Sequence, residues 1–113
     1  EVTIDEQDIF NVTINESLAV ALLTNLLKNA FVHNIDGGHI RITVTKNSIT
    51  FRNSGVKNPL DKEHIFERFY QGTKKEGSTG LGLAIADSIC RLQHLSIRYY
   101  FEQKEHCFEI SRQ

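Results

Sequence analysis

The stretch HIRITVTKNSITFRN, residues 39 to 53, narrows the folds open to this chain more than any other. Ile40, Ile42 and Val44 fall on one face of an extended segment and Arg41, Thr43 and Thr45 on the other; Ile49 and Phe51 continue the pattern after a tight turn at Lys46-Asn47. A hairpin with that alternation buries one face and wets the other. Two helical segments can supply the cover. In ESLAVALLTNLLKNAFVH, Leu18, Leu22 and Leu26, with Leu23, Leu27 and Ala30 one register over, make a broad apolar face. Asn15 offers the N-cap and NIDGG the stop, which predicts a helix from about 16 to 33. GLGLAIADSICRLQ reads as helical after its glycines, with Leu83, Ala86, Ile89, Cys90 and Leu92 turned inward. EVTI and FNVTI read as two edge-like strands around an acidic turn, and LSIRYYFE with HCFEIS as a closing hairpin around Gln103-Lys104. The expected class is α+β: a two-layer sandwich in which a mixed, mostly antiparallel sheet carries its helices on one face.

With 113 residues, 40% hydrophobic and 24% charged, the chain is expected to form one globular domain spanning 1–113. Thirteen Lys plus Arg against fourteen Asp plus Glu leave a formal charge of −1, so no global field recruits nucleic acid or an anionic membrane. Cys90 and Cys107 lack metal-ligand spacing and lie within apolar patterns, as buried thiols do, though a disulfide is left open. No apolar run approaches the ~20 residues that cross a bilayer. The chain opens on Glu1 inside a strand-like pattern, which suggests a piece of a longer protein.

Periodicity fades between Asn53 and Thr79, apart from a helical turn around KEHIFERF. A loop of that length in a small domain usually serves function. Four elements around it can carry chemistry, and each has a plainer reading. In GSTGLGLAI, Gly80 and Gly82 open a helix whose backbone N–H groups and dipole suit an anion, or they merely allow tight packing. The run is no P-loop, because the Lys-Ser/Thr ending is missing. Asn29 can present an amide oxygen to a hard cation such as Mg2+, or bond to backbone; Asn25 and His33 share its helix face. Asn53 in NSG can meet a base edge, or make an Asx-turn before Gly55. IFERFYQG joins an apolar staple, Ile65, Phe66 and Phe69, to Arg68, a possible clamp for phosphate.

In this order the four elements resemble the catalytic ATP-binding domain of bacterial sensor histidine kinases, the GHKL or Bergerat fold shared with gyrase, Hsp90 and MutL. The likeness covers nearly all of residues 10 to 112. NLLKNA resembles the N box, NSG stands in the place of the first glycine box, IFERFY matches the F box and TGLGLAI the second glycine box. The resemblance implies ATP and Mg2+ as cofactors, with Asn29 as metal ligand and catalytic residue and Arg68 as a second catalytic group. It implies nucleotide contacts from Asn25, Asn29, His33, Asn53, Gly55, Thr79, Gly80, Leu81, Gly82 and Leu83, with residues 56–79 as the lid.

It also implies partners: a phosphoacceptor-histidine dimerisation domain of the same protein, a response regulator downstream, and no nucleic acid. The chain would be a cytoplasmic portion of a membrane-bound sensor, monomeric by itself and without membrane contact of its own. None of its five histidines stands in a sequence resembling the acceptor helix, so alone it should bind ATP without efficient phosphotransfer. Asn25 occupies the place of the catalytic glutamate in gyrase-like ATPases, which disfavours hydrolysis.

The chain also departs from the pattern. Asn53 replaces the usual Asp, GVKN lacks the second glycine, Val32 stands at a commonly basic position, and Ser78 at a common glycine. Lys28 points away, leaving Lys74, Lys75 or Arg68 to meet phosphate. An amide acceptor forgoes charge assistance, so weakened ATP binding is expected. The alternative is a degenerate module that acts through protein contacts.

Overall fold

Asn15 starts the first helix as an acceptor: its side-chain oxygen takes the Leu18 N–H at 3.1 Å. The resulting α1, Glu16–Val32, ends where the His33 N–H bonds back to the Asn29 carbonyl at 3.1 Å. The computed structural model describes residues 1–67 and 81–113. Within them α1 is followed by the hairpin β2 (Ile40–Val44) and β3 (Ser48–Asn53), then α2 (Gly82–Leu92) and a second hairpin, β4 (Leu95–Glu102) and β5 (Glu105–Arg112). An initial strand, β1 (Val2–Glu6), lies parallel to β2, and the sheet order is β1-β2-β3-β5-β4, with every other pairing antiparallel.

Register aligns the apolar positions in rows across the sheet. Ile42, Phe51, Phe108 and Tyr99 form one row, and Val44, Ile49, Ile110 and Ile97 the next. Both helices cover this face: Leu22, Leu26, Ala86, Ile89 and Cys90 join Phe51, Tyr99, Phe108 and Ile110 in one core. The opposite face is polar. There Arg98 meets Glu109 at 2.6 Å and Arg52 meets Glu102 at 3.3 Å, while both guanidiniums lie over the Tyr100 ring at 4.9 and 5.9 Å from its centre. This two-faced sheet is the physical content of the alternation in the 39–53 stretch.

Three expectations need correction. FNVTI forms no strand: Phe10, Val12 and Ile14 still alternate into the core, but the segment pairs with no neighbour. Arg112 holds it instead, donating to the Asn11 carbonyl at 2.9 Å with its guanidinium over Phe10. Leu92 is 68% exposed, because α2 ends there and the next residue already turns toward β4. Leu23 is 41% exposed, on the flank of α1 that neither the sheet nor α2 reaches. Cys90 and Cys107 are both free and buried, so no disulfide joins them. Burial pushes the Cys90 thiol up to about 11 and raises Cys107 as well, and both are therefore inert thiols.

Candidate functional site

Asn25 and Asn29 are a turn apart on α1, and their amides are placed differently. The Asn25 Nδ2 donates to the Ala21 carbonyl of its own helix at 2.8 Å, which fixes Oδ1 beside Gly82 at the start of α2. A Cβ on Gly82 would stand 3.3 Å from that oxygen, so α1 and the start of α2 meet here. The half-buried Asn29 side chain, in contrast, makes no hydrogen bond to any described residue. An amide so placed can bind a ligand or cation without first breaking a protein bond.

Asn53 closes β3. It is 2% exposed; its Nδ2 donates to the Ser54 carbonyl at 2.8 Å, and its Oδ1 is a buried acceptor with no partner among the described residues. Leaving such an oxygen unsatisfied costs about 1–3 kcal/mol, so the position calls for a donor. The Asx-turn reading of this residue is not what forms.

Gly55 is glycine for want of space. A Cβ there would lie 2.8 Å from the His33 carbonyl at the end of α1 and 3.1 Å from the His106 ring. Close approach thus ties the NSG segment to the helix that carries Asn29. Ser54 adds a second tie: its hydroxyl donates to the Asn34 Oδ1 at 2.6 Å and accepts the His39 N–H at 2.8 Å. Gly38 sits in that knot, and a side chain there would overlap both Asn34 and Ser54.

Beyond Gly55, Asp61 organises the turn expected around KEHIFERF. Its carbonyl accepts the Ile65 N–H at 2.9 Å and its carboxylate the Glu63 N–H at 3.0 Å. Ile65 is buried and Phe66 meets Phe108 edge-on, with ring centres 6.2 Å apart, so this half of the staple reaches the core. Leu81 precedes α2 as its N-cap, and Gly82 and Leu83 open the helix. Among the described residues no side chain caps it, and its first turn carries no acidic residue, so the positive end of its dipole suits an anion. Arg68, Thr79 and Gly80, with Phe69, Lys74, Lys75 and Ser78, lie outside the described residues, as does the lid expected at 56–79 beyond residue 67.

Sequence reading missed His106. It is 3% exposed and pairs with Asn53 across β5 and β3. Its Nε2 bonds to the Val56 carbonyl at 2.6 Å and its Nδ1 to the Tyr99 hydroxyl at 2.8 Å. A histidine inside an alternating apolar strand was the available signal. Glu105, its neighbour, is likewise buried; desolvation pushes its carboxyl up, but bonds from His39 and Arg41, both at 2.7 Å, hold it below the ordinary value.

Known proteins share this fold. The family described as "Histidine kinase-, DNA gyrase B-, and HSP90-like ATPase" matches residues 14–111. The sensor histidine kinase RppB of Synechocystis is 43% identical over 84 residues, 66% of this chain and 18% of RppB. The heme sensor protein HssS of Staphylococcus aureus is 39% identical over 90 residues, 75% of this chain and 20% of HssS. The chain thus spans about a fifth of these relatives. Among solved structures, the catalytic domain of histidine kinase ThkA superposes with a TM-score of 0.81 at 24% identity, covering 97% of this chain and 76% of that one. The mycobacterial sensor histidine kinase MprB gives 0.81 at 18% identity, over 99% and 84%. At these identities the fold is what is shared. The chain belongs to the histidine kinase-, gyrase B- and HSP90-like ATPase family, and its Bergerat fold is that of a catalytic domain related to bacterial sensor histidine kinases.

Proposed function

We propose that this domain binds Mg-ATP and donates the γ-phosphoryl group to a histidine on a separate dimerisation domain in two-component signalling. The observation that carries the proposal is the buried Asn53 Oδ1, which has no partner among the described residues and lies at the end of a strand whose following Gly55 packs on the end of the helix that carries Asn29. Asn53 would accept from the exocyclic amino group of adenine, a donor of the kind its oxygen lacks. The N–H groups at the start of α2, with Leu81, Gly82 and Leu83, would hold phosphate oxygens. Asn25 keeps α1 and α2 together at that point, and the His33 carbonyl seats Gly55. Thr79, Gly80 and Arg68 are assigned here from their place in the motifs.

The donor set fits a Mg2+ nucleotide: Asn29 would supply one neutral oxygen, with phosphate and water oxygens supplying the rest. Mg2+, when bound, neutralises charge on the β- and γ-phosphate oxygens. The chain's own residues do the positioning. They orient the nucleotide so that an acceptor imidazole nitrogen forms its bond to the γ-phosphorus as the bond to the β,γ-bridging oxygen breaks and ADP leaves. The acceptor histidine, the response regulator, and the membrane-bound sensor with this domain on its cytoplasmic side belong to the same proposal. Among the described residues, no helix is long and apolar enough to cross a membrane.

The test is a calorimetric titration with a non-hydrolysable ATP analogue, with and without Mg2+, beside Asn29→Ala. Mg2+-dependent binding that disappears in Asn29→Ala is the expected result. No heat at millimolar ligand in the wild type would refute it, and the protein-contact alternative would then stand.

A further inference from the structure

The nucleotide reading leaves unused a buried titratable side chain that touches the site's backbone. His106 and Asn53 are cross-strand partners on the helix-covered face, in the same row as Ile40 and Phe101. Both His106 nitrogens are engaged. The Val56 carbonyl can only accept, so the bond at 2.6 Å requires the proton on Nε2. In the neutral ring Nδ1 is then an acceptor, and the Tyr99 hydroxyl donates to it at 2.8 Å. The same hydroxyl oxygen accepts the Leu60 N–H at 2.9 Å. One histidine and one tyrosine thus hold the backbone just after the NSG segment at two points, Val56 and Leu60. The His106 ring also lies against the Cα of Gly55, where a Cβ would come within 3.1 Å.

We infer that His106 and Tyr99 are positioning residues for the base end of the nucleotide site, latching the Gly55–Leu60 backbone to the sheet so that the Asn53 acceptor is held in place. This rests on the Mg-ATP reading. Neither residue is assigned a contact with nucleotide; both act through the backbone they fix. Loops usually move more than the elements they join, and a site built at a strand end gains precision only if the following backbone is tied down. Here the ties come from the side chains of two neighbouring strands, β4 and β5. A hydrophobic residue at position 106 would leave the Val56 carbonyl without this donor, and one at position 99 would leave the Leu60 N–H without this acceptor.

The experiment compares wild type, Tyr99→Phe, His106→Leu, His106→Gln and Asn29→Ala by calorimetry with the Mg-bound ATP analogue. Leu60 amide exchange and the ring-nitrogen shifts of His106 are read by NMR. The wild type should show the Nε2–H tautomer and a protected Leu60 amide. Tyr99→Phe keeps the ring and removes only the hydroxyl; it should speed Leu60 exchange and weaken the analogue about 3- to 10-fold, the scale of one or two lost hydrogen bonds. His106→Leu should weaken binding at least as much, and His106→Gln, which retains a donor and an acceptor, should recover most of it.

Tyr99→Phe carries the test alone if His106→Leu does not fold. A folded Tyr99→Phe with unchanged affinity would overturn the proposal, reducing the latch to a stability device. A His106→Gln no better than His106→Leu would overturn its hydrogen-bonding basis. Failure of the wild type itself to bind would instead overturn the nucleotide reading, and the positioning role with it, whatever the variants do.

Discussion

Gly55→Ala puts one methyl group into a tight space between the end of β3 and the end of α1. The new Cβ would lie 2.8 Å from the His33 carbonyl oxygen, whereas ordinary contact begins at 3.4 Å. The strand end and the helix end must therefore separate by about 0.6 Å, the difference of those two distances. Neither neighbour yields easily. The His33 oxygen is backbone, and the His106 ring, 3.1 Å away on the other side, is bonded at both nitrogens. Overpacking against fixed atoms costs roughly 1–3 kcal/mol. At about 4 °C per kcal/mol for a domain of this size, the melting temperature should fall by about 4–12 °C.

Circular dichroism melts of the apo domain measure the stability, and the analogue titration should show a parallel loss of affinity. Gly82→Ala is the internal control. Among the described residues its Cβ meets only a side-chain oxygen, Asn25 Oδ1 at 3.3 Å, and alanine gains up to ~1 kcal/mol in helix propensity. Its apo stability should change by less than about 0.5 kcal/mol while nucleotide affinity falls, since the helix start faces phosphate in the proposed site. A Gly55→Ala protein that melts within about 1 °C of wild type would refute the steric argument.

Asn53→Asp removes the donor that bonds the Ser54 carbonyl and sets a carboxylate oxygen against it, so the apo protein should lose about 1–2 kcal/mol. Mg-bound analogue should then raise the variant's melting temperature more than the wild type's, because the remaining acceptor is charge-assisted. Glu105→Gln should cost about 1–2 kcal/mol in urea unfolding at neutral pH, a value discounted for the exposure of His39 and Arg41. The Glu105 carboxyl is held below its ordinary 4.5, so its contribution is complete above that pH and is lost as pH falls through the lowered folded-state value; the gap between variant and wild type should narrow there. The Asp61 carboxylate bonded at 2.6 Å raises the His64 imidazole above its ordinary 6.5, so His64 should titrate by NMR above that value, and Asp61→Asn should bring it back down.

What could be read along the chain was what neighbouring residues decide together. Helical spacing of leucines, the Asn15 cap and the alternation of EVTI and the two hairpins gave both helices and all five strands, because backbone period and side-chain direction are local properties. Motif order placed Asn29, Asn53 and the α2 glycine start around one loop. The alternation of FNVTI was equally local and equally real, since Phe10, Val12 and Ile14 do enter the core. Pairing, however, needs a free strand edge at the right place, and no window of sequence contains that. Nor could a sequence say why Gly55 is glycine, when the obstacle is a carbonyl 22 residues earlier in the chain. The burial of Asn53, the turning of the Asn25 oxygen toward α2, and the grip of Tyr99 and His106 on Val56 and Leu60 likewise join residues distant along the chain. Periodicity thus determined the parts and their faces, and long-range packing decided which polar atoms are satisfied among the described residues and which are not.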